Sequence, residues 1–244
     1  MLYHYAALTC RGSKHPRNQD CILLSSHLLR RGMRSGSITE LLTVVCDGAG
    51  GEAGGGAAAA VAAAAMAPLD PAHAALPAIS EQLWEAHRRV CDLRRHWKRP
   101  CTALAGVLVR QGSWYFFGLG HVRVYHFDGN RLRQCSRDDT MARRQLITYR
   151  IGSMKDASEE ARHTLTACLG GPIPSRGFAV RAIPRPLTGT LLVCTNGLYE
   201  AVEEQEISEV LSSGGSPNEK AQTLASLALA RGLGDDISLV LLSV

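Results

Sequence analysis

Read by the spacing of its apolar and polar positions, the chain divides into short strand-like runs and a smaller number of helical ones. Residues 1–10 and 21–29 read as strands on either side of a polar loop, Arg11 to Asp20. Arg30 to Ser37 is rich in Gly, Ser and Arg and predicts a turn. It leads into the apolar run Leu41–Cys46, a short buried strand that ends at Asp47 and passes into Gly48-Ala49-Gly50-Gly51. An alanine-rich helix over 54–67 follows and stops at Pro68. A second helix starts at a Ser80 N-cap, with Leu83, Trp84, His87, Val90, Cys91 and Arg94 at helical spacing.

From Cys101 the pattern turns to strands. Runs at 102–109, 114–119, 122–127 and 131–135 form a meander, with Gln111-Gly112 and Asp128-Gly129-Asn130 as turns. Helices are predicted over 140–150 and 158–169, strands over 178–183 and 190–194, and helices over 204–211 and 218–230, the last closed by Gly232. A final strand covers 237–244. This order lacks the regular alternation of a doubly wound fold and predicts two antiparallel sheets with helices outside.

Composition changes this picture little. With 244 residues, 45% hydrophobic and 20% charged, the chain suits one large domain spanning 1–244, with no linker dividing it. The most apolar run, Ala57 to Met66, is too short to cross a bilayer, and no basic leader precedes an apolar core. Eight scattered cysteines include no CxxC pair, which points to buried free thiols in a reducing cytoplasm rather than to zinc or disulfides. The net charge is +5 and is carried mostly by arginine. Its densest cluster, Arg88 to Arg99, reads as a solvated helix face; with no recognised motif beside it, nucleic-acid binding is disfavoured.

Candidate chemistry sits at strand ends. Asn18-Gln19-Asp20, Asp47-Gly48, Thr195-Asn196-Gly197 and Gly234-Asp235-Asp236 each place oxygen ligands beside a strand terminus. Hard cations such as Mg²⁺ or Mn²⁺ take oxygen donors and keep several waters, so a few carboxylates suffice. Any one of these pairs alone would pass as turn chemistry.

Taken together, their order resembles the metal-dependent protein serine/threonine phosphatases of type 2C, the PPM type. Five segments carry the likeness: Gly12-x-x-His15-x-x-Asn18-Gln19-Asp20, Val45 to Gly51, Gly118 to Tyr125, Leu192 to Leu198, and Asp235 to Val240. Leu165 to Gly170 and Cys101-Thr102 add to it. The resemblance implies a four-layer α-β-β-α sandwich of the α+β class, two central antiparallel sheets flanked by helix pairs. It implies two metal ions, Mn²⁺ or Mg²⁺. Asp47 would bridge them and the Gly48 carbonyl would be a further ligand. Asp235 and Asn196 would serve the first ion, and Gln19 would stand near the second, with Asp20 orienting a metal-bound water. His15 falls where the family has a phosphate-gripping arginine, and Arg17, two residues on, could reach the same anion.

Four departures bear on activity. Gln19 stands for Glu, Asn196 and His121 for Asp, and His15 for Arg; His121 itself reads as a strand-end histidine packed against Tyr125 or solvent. In the family the acids at the places of Asn196 and His121 hold a third, weaker ion, so the expectation is two ions at most and slow or absent turnover. Two readings therefore stand side by side. One is a cytoplasmic phosphatase acting on phosphoserine and phosphothreonine, with a Ser/Thr kinase or its targets as partners. The other is a degenerate member that binds a phosphoprotein or kinase with little or no turnover. The segment at 140–161, the family's flap, is where substrate choice would be expected.

Overall fold

In the computed structural model, which describes residues 1–49, 54–174, 177–183, 188–232 and 234–244, the apolar runs pair into two six-stranded sheets. The strands are β1 (Tyr3–Cys10), β2 (Cys21–Leu24), β3 (His27–Leu29), β4 (Gly32–Ile38), β5 (Leu41–Ala49), β6 (Cys101–Arg110), β7 (Ser113–Leu119), β8 (Arg123–Phe127), β9 (Leu132–Gln134), β10 (Val180–Ala182), β11 (Thr190–Cys194) and β12 (Ile237–Ser243). The helices are α1 (Gly54–Met66), α2 (Leu76–Asp92), α3 (Met141–Ile147), α4 (Glu159–His163), α5 (Asn196–Tyr199), α6 (Glu204–Ser212) and α7 (Pro217–Arg231). One sheet runs β4-β1-β12-β11-β8-β9 and the other β10-β7-β6-β5-β2-β3, and every described pairing is antiparallel.

Strand alternation builds three apolar layers from these sheets. Between them lie Tyr3, Ile22, Val45, Trp114, Val193 and Val240. The outer face of the β5 sheet packs Leu42, Val44 and Leu104 against α1 and α2. The outer face of the β12 sheet packs Leu192 and Leu239 against α6 and α7. The expected four-layer sandwich is what forms. In α1 the alanines at 58, 59, 62 and 63 are fully buried, so the helix axis can lie close to β5. Each large aliphatic side chain buried in these layers contributes about 1.5–3 kcal/mol relative to exposure.

Local departures from the sequence reading have local causes. Residues 32–38 form strand β4 rather than a turn, because pairing with β1 supplies partners that composition does not show. The 21–29 run splits at Ser25, whose φ of 52° turns the chain between β2 and β3. Helix α2 begins at Leu76 with Pro77 in its first turn, so Ser80 is interior and not the cap. The predicted helix over 158–169 closes after His163. Beyond it the chain runs extended, with Leu165 bridged to Thr140 and Leu169 to Thr102. Gly50 and Gly51 of the Asp47 loop lie outside the described residues.

Candidate metal centre

Period two decides where Asp47 goes. Leu42, Val44 and Cys46 face α1, whereas Leu41 and Val45 face the other sheet, and Asp47 continues the second series at the edge of the inter-sheet layer. There its Oδ2 is buried and has no hydrogen-bond partner. Nδ1 of His121, also buried and unpartnered, stands 3.8 Å away, too far for a hydrogen bond. Burial first, then the fields of Asp20, Asp235 and Asp236, push the Asp47 carboxyl well above its ordinary value. Burial pushes His121 down to about 4. Two buried polar atoms face each other across a gap, which is a place for a ligand rather than for packing.

The start of β12 supplies the second carboxylate. Asp235 Oδ2 accepts from Lys14 Nζ at 3.3 Å and from the Asn196 side-chain amide at 3.4 Å. Burial would raise Asp235, but the Lys14 ammonium, the Asp236 backbone amide and Asn196 outweigh it and hold the carboxyl below its ordinary value. Asp236 faces the other way and ties loops together. Its two oxygens accept the backbone N–H of Gly12 at 2.9 Å and of Gln19 at 2.8 Å. A side chain at Gly12 would overlap the carbonyls of Gly234 and Asp235, so only glycine lets this loop close on β12.

Behind Gln19 lies Asp20, 2% exposed, which accepts from Thr195 Oγ at 3.1 Å. Burial above all, opposed by hydrogen bonds from Ser238 and Thr195 but helped by Asp236 and Asp235, pushes its carboxyl up to about 8. Gln19 is buried as well, and its Oε1 reaches the first turn of α1, 2.5 Å from where a Cβ on Gly55 would sit. Gly48 and Gly55 press backbone to backbone there, which brings the start of α1 onto the end of β5.

Of the residues read from the sequence, Asp47, Gly48, Gln19, Asp20, Asn196 and Asp235 converge on this edge. His15 and Arg17 lie further out. The His15 carbonyl accepts from Arg11 Nη1 at 2.9 Å, and Arg17 lines a groove with Arg11, Arg30 and Gln222 of α7. Among the described residues neither side chain bonds to Asp47 or Asp235. The reading of His121 as packed on Tyr125 or solvent is corrected. It is buried against Asp47, because the β7–β8 connection turns at Gly120, φ 93°, and drops the histidine between the sheets.

Several functional neighbours escaped sequence reading. Asp236 is visible in the sequence only as half of an Asp-Asp pair, and Lys14 only as one residue of the polar loop Arg11 to Asp20. A buried cluster also supports His121. Arg123 bonds Asp138 through Nη2 at 2.7 Å and lies 3.7 Å over the Tyr199 ring, while Tyr199 Oη donates to the His121 carbonyl at 2.9 Å. Arg123 and Asp138 are 15 residues apart in sequence and Tyr199 and His121 are 78 apart, and no motif joins them.

A hard cation fits this donor set at Asp47, where a buried carboxylate oxygen lacks any partner. At Asp235 the Lys14 ammonium already supplies part of the positive charge. Among the described residues no three His, Cys, Asp or Glu side chains are grouped to enclose a metal by themselves. Amide and carbonyl oxygens or water would have to complete the coordination, as suits Mg²⁺ or Mn²⁺.

Fold and site together give the architecture of the PPM-type phosphatases: two facing antiparallel sheets, outer helix pairs and an acidic centre at the edge of the inter-sheet layer. The comparisons agree. Over 142 residues the chain is 29% identical to the serine/threonine phosphatase stp of Listeria welshimeri, covering 57% of this chain and 55% of that protein. The match thus spans about half the length of the curated relative. The Mycobacterium tuberculosis serine/threonine phosphatase PstP/Ppp superposes with a TM-score of 0.82 at 24% identity, over 100% of this chain and 99% of that one. The catalytic domain of PstP in complex with two manganese ions gives 0.79 at 23% identity, over 100% and 99%. No family model matches the chain. In fold, and in the order of its motifs, the chain resembles the PPM-type serine/threonine phosphatases.

Proposed function

We propose that the chain is a metal-dependent protein serine/threonine phosphatase that hydrolyses phosphoserine and phosphothreonine at a dinuclear Mn²⁺ or Mg²⁺ centre. The observation that carries this reading is the buried, unpartnered Asp47 Oδ2 at the meeting point of the expected ligand loops. Asp47 would be shared by two ions, with Gly48 and Gln19 on one side and Asp235 and Asn196 on the other. Bound there, hard cations would polarise the phosphate ester and make water nucleophilic at neutral pH for in-line attack. Asp20, its carboxyl pushed up to about 8, can hold or release a proton near neutrality, and Thr195 fixes its orientation. His15 and Arg17, at the outer rim, are the candidates for gripping the phosphate of an incoming protein. A Ser/Thr kinase or its targets in the cytoplasm is the proposed source of that phosphate.

One observation favours a second reading, a degenerate member that binds phosphoproteins with little turnover. Asp235 is engaged by Lys14 and by the neutral Asn196, so the centre carries less negative charge than two dications require. Turnover of a small aryl phosphate by purified protein with Mn²⁺ separates the two. The first reading expects activity that disappears in Asp47→Ala and Asp235→Ala; a wild type without turnover that still binds phosphoprotein supports the second. Asn196→Asp combined with His121→Asp is expected to raise the rate, and an unchanged rate removes the third-ion explanation.

A further inference from the structure

A second polar cavity lies away from Asp47, where the 140–163 segment meets both sheets. Its volume is about 360 Å³, at the small end of ligand sites. Arginines from four separate elements line it: Arg123 of β8, Arg137 after β9, Arg143 of α3 and Arg181 of β10. The one carboxylate in its wall, Asp138, is already engaged by the Arg123 fork and by Gln134 Nε2 at 2.7 Å. Arg137, Arg143 and Arg181 have no acidic partner among the described residues, and Nε of Arg143 is buried without any hydrogen-bond partner. Guanidinium groups gathered around one small cavity repel one another unless an anion joins them, and a buried N–H with no acceptor costs free energy.

We infer that this cavity is a binding pocket for a phosphate monoester or inorganic phosphate, separate from the Asp47 centre and clasping the 140–163 segment to the two sheets. Arginine forks suit phosphate because each presents paired N–H donors in one plane to two oxygens. The side chains come from one strand of each sheet, from the loop after β9 and from α3, so an anion among them would tie α3 and β10 to the loop that Asp138 already fastens to β8. The pocket also has a short route to the metal centre. Asp139, beside Asp138, donates its backbone N–H to the Gly120 carbonyl at 2.7 Å, and Gly120 precedes His121. The same chemistry could arrive as free phosphate or as a second phosphorylated side chain of a protein partner. This inference does not depend on catalysis at Asp47.

The test is a calorimetric titration of the whole chain with inorganic phosphate at fixed ionic strength, with and without Mn²⁺. The expected result is a saturable site that persists without Mn²⁺ and weakens at least tenfold in the Arg143→Gln/Arg181→Gln double variant. Phosphate should also slow tryptic cleavage after Arg143, Arg144 and Arg150. If the double variant fails to fold, Arg181→Gln alone, on an exposed edge strand, carries the test with an expected weakening of a few fold. A phosphoserine peptide binding tenfold tighter than phosphate would identify a protein-borne ligand, and the reverse order would identify the free ion; either supports the pocket. No metal-independent binding, or an affinity unchanged in the variants, overturns it.

Discussion

The two sides of His121 bury charge in opposite ways. On one side Asp47 Oδ2 and the His121 ring nitrogen face each other unsatisfied. On the other, Arg123, Asp138, Tyr199 and Gln134 close their hydrogen bonds on one another and on the His121 carbonyl. The two lie on different sheets, Asp47 on β5 and Arg123 on β8, and apart from the exposed Gln134 their members are buried or half-buried. The difference is that the second cluster is complete without a ligand and the first is not. A closed network fixes geometry, whereas an open one leaves stability unrealised until something binds. The Arg123 cluster thus serves as the mount and Asp47 as the open end it holds.

Substitutions can break this contrast. The largest effect is expected for Asp47→Ala, which should lower Mn²⁺-dependent aryl phosphate turnover by about a thousandfold or more while leaving the fold intact, since it deletes an unpaired buried carboxylate. Steady-state kinetics and far-UV circular dichroism check both halves. Arg123→Ala should do the reverse and destabilise by about 3–5 kcal/mol in urea unfolding, because it strands Asp138 as a buried unpaired charge. Asp236→Ala frees the Gly12 and Gln19 amides and should cost about 1–3 kcal/mol by the same measurement, with Mn²⁺ affinity falling alongside. The smallest effect is expected at the start of α3. Thr140 caps α3 through the Arg143 amide, and Thr140→Ala should cost about 1 kcal/mol, read as faster proteolysis within 141–150.

Proton linkage sharpens the same contrast. Asp20 and Asp47 both have folded-state values raised above the ordinary carboxylate range, Asp20 to about 8. A raised carboxyl keeps its proton in the folded chain after the unfolded chain has lost it. Stability of the metal-free protein should therefore fall as pH rises from about 4 to about 8, and saturating Mn²⁺ should flatten that slope. Urea midpoints at several pH values, with and without Mn²⁺, check it.

What sequence made legible follows from what is local. The Leu41–Cys46 run, its carboxylate and the order of the later Asp and Asn loops are contiguous patterns, and they located the two sheets and the converging edge. Strand β4 was hidden because Gly, Ser and Arg look like a turn until β1 supplies the pairing. His121 read as packed on Tyr125 or solvent because its burial depends on Asp47, 74 residues away in sequence, and not on its neighbours. Lys14, Asp236 and the Arg123–Asp138 pair act through contacts that no spacing rule connects.

The central claim is that the unpartnered Asp47 oxygen is a cation ligand. Calorimetric titration of wild type and Asp47→Asn with Mn²⁺ tests it most directly. The wild type should bind Mn²⁺, and Asp47→Asn, which keeps the shape and loses the charge, should weaken that binding by about a hundredfold or more. Equal affinity and stoichiometry in the two proteins would contradict the claim.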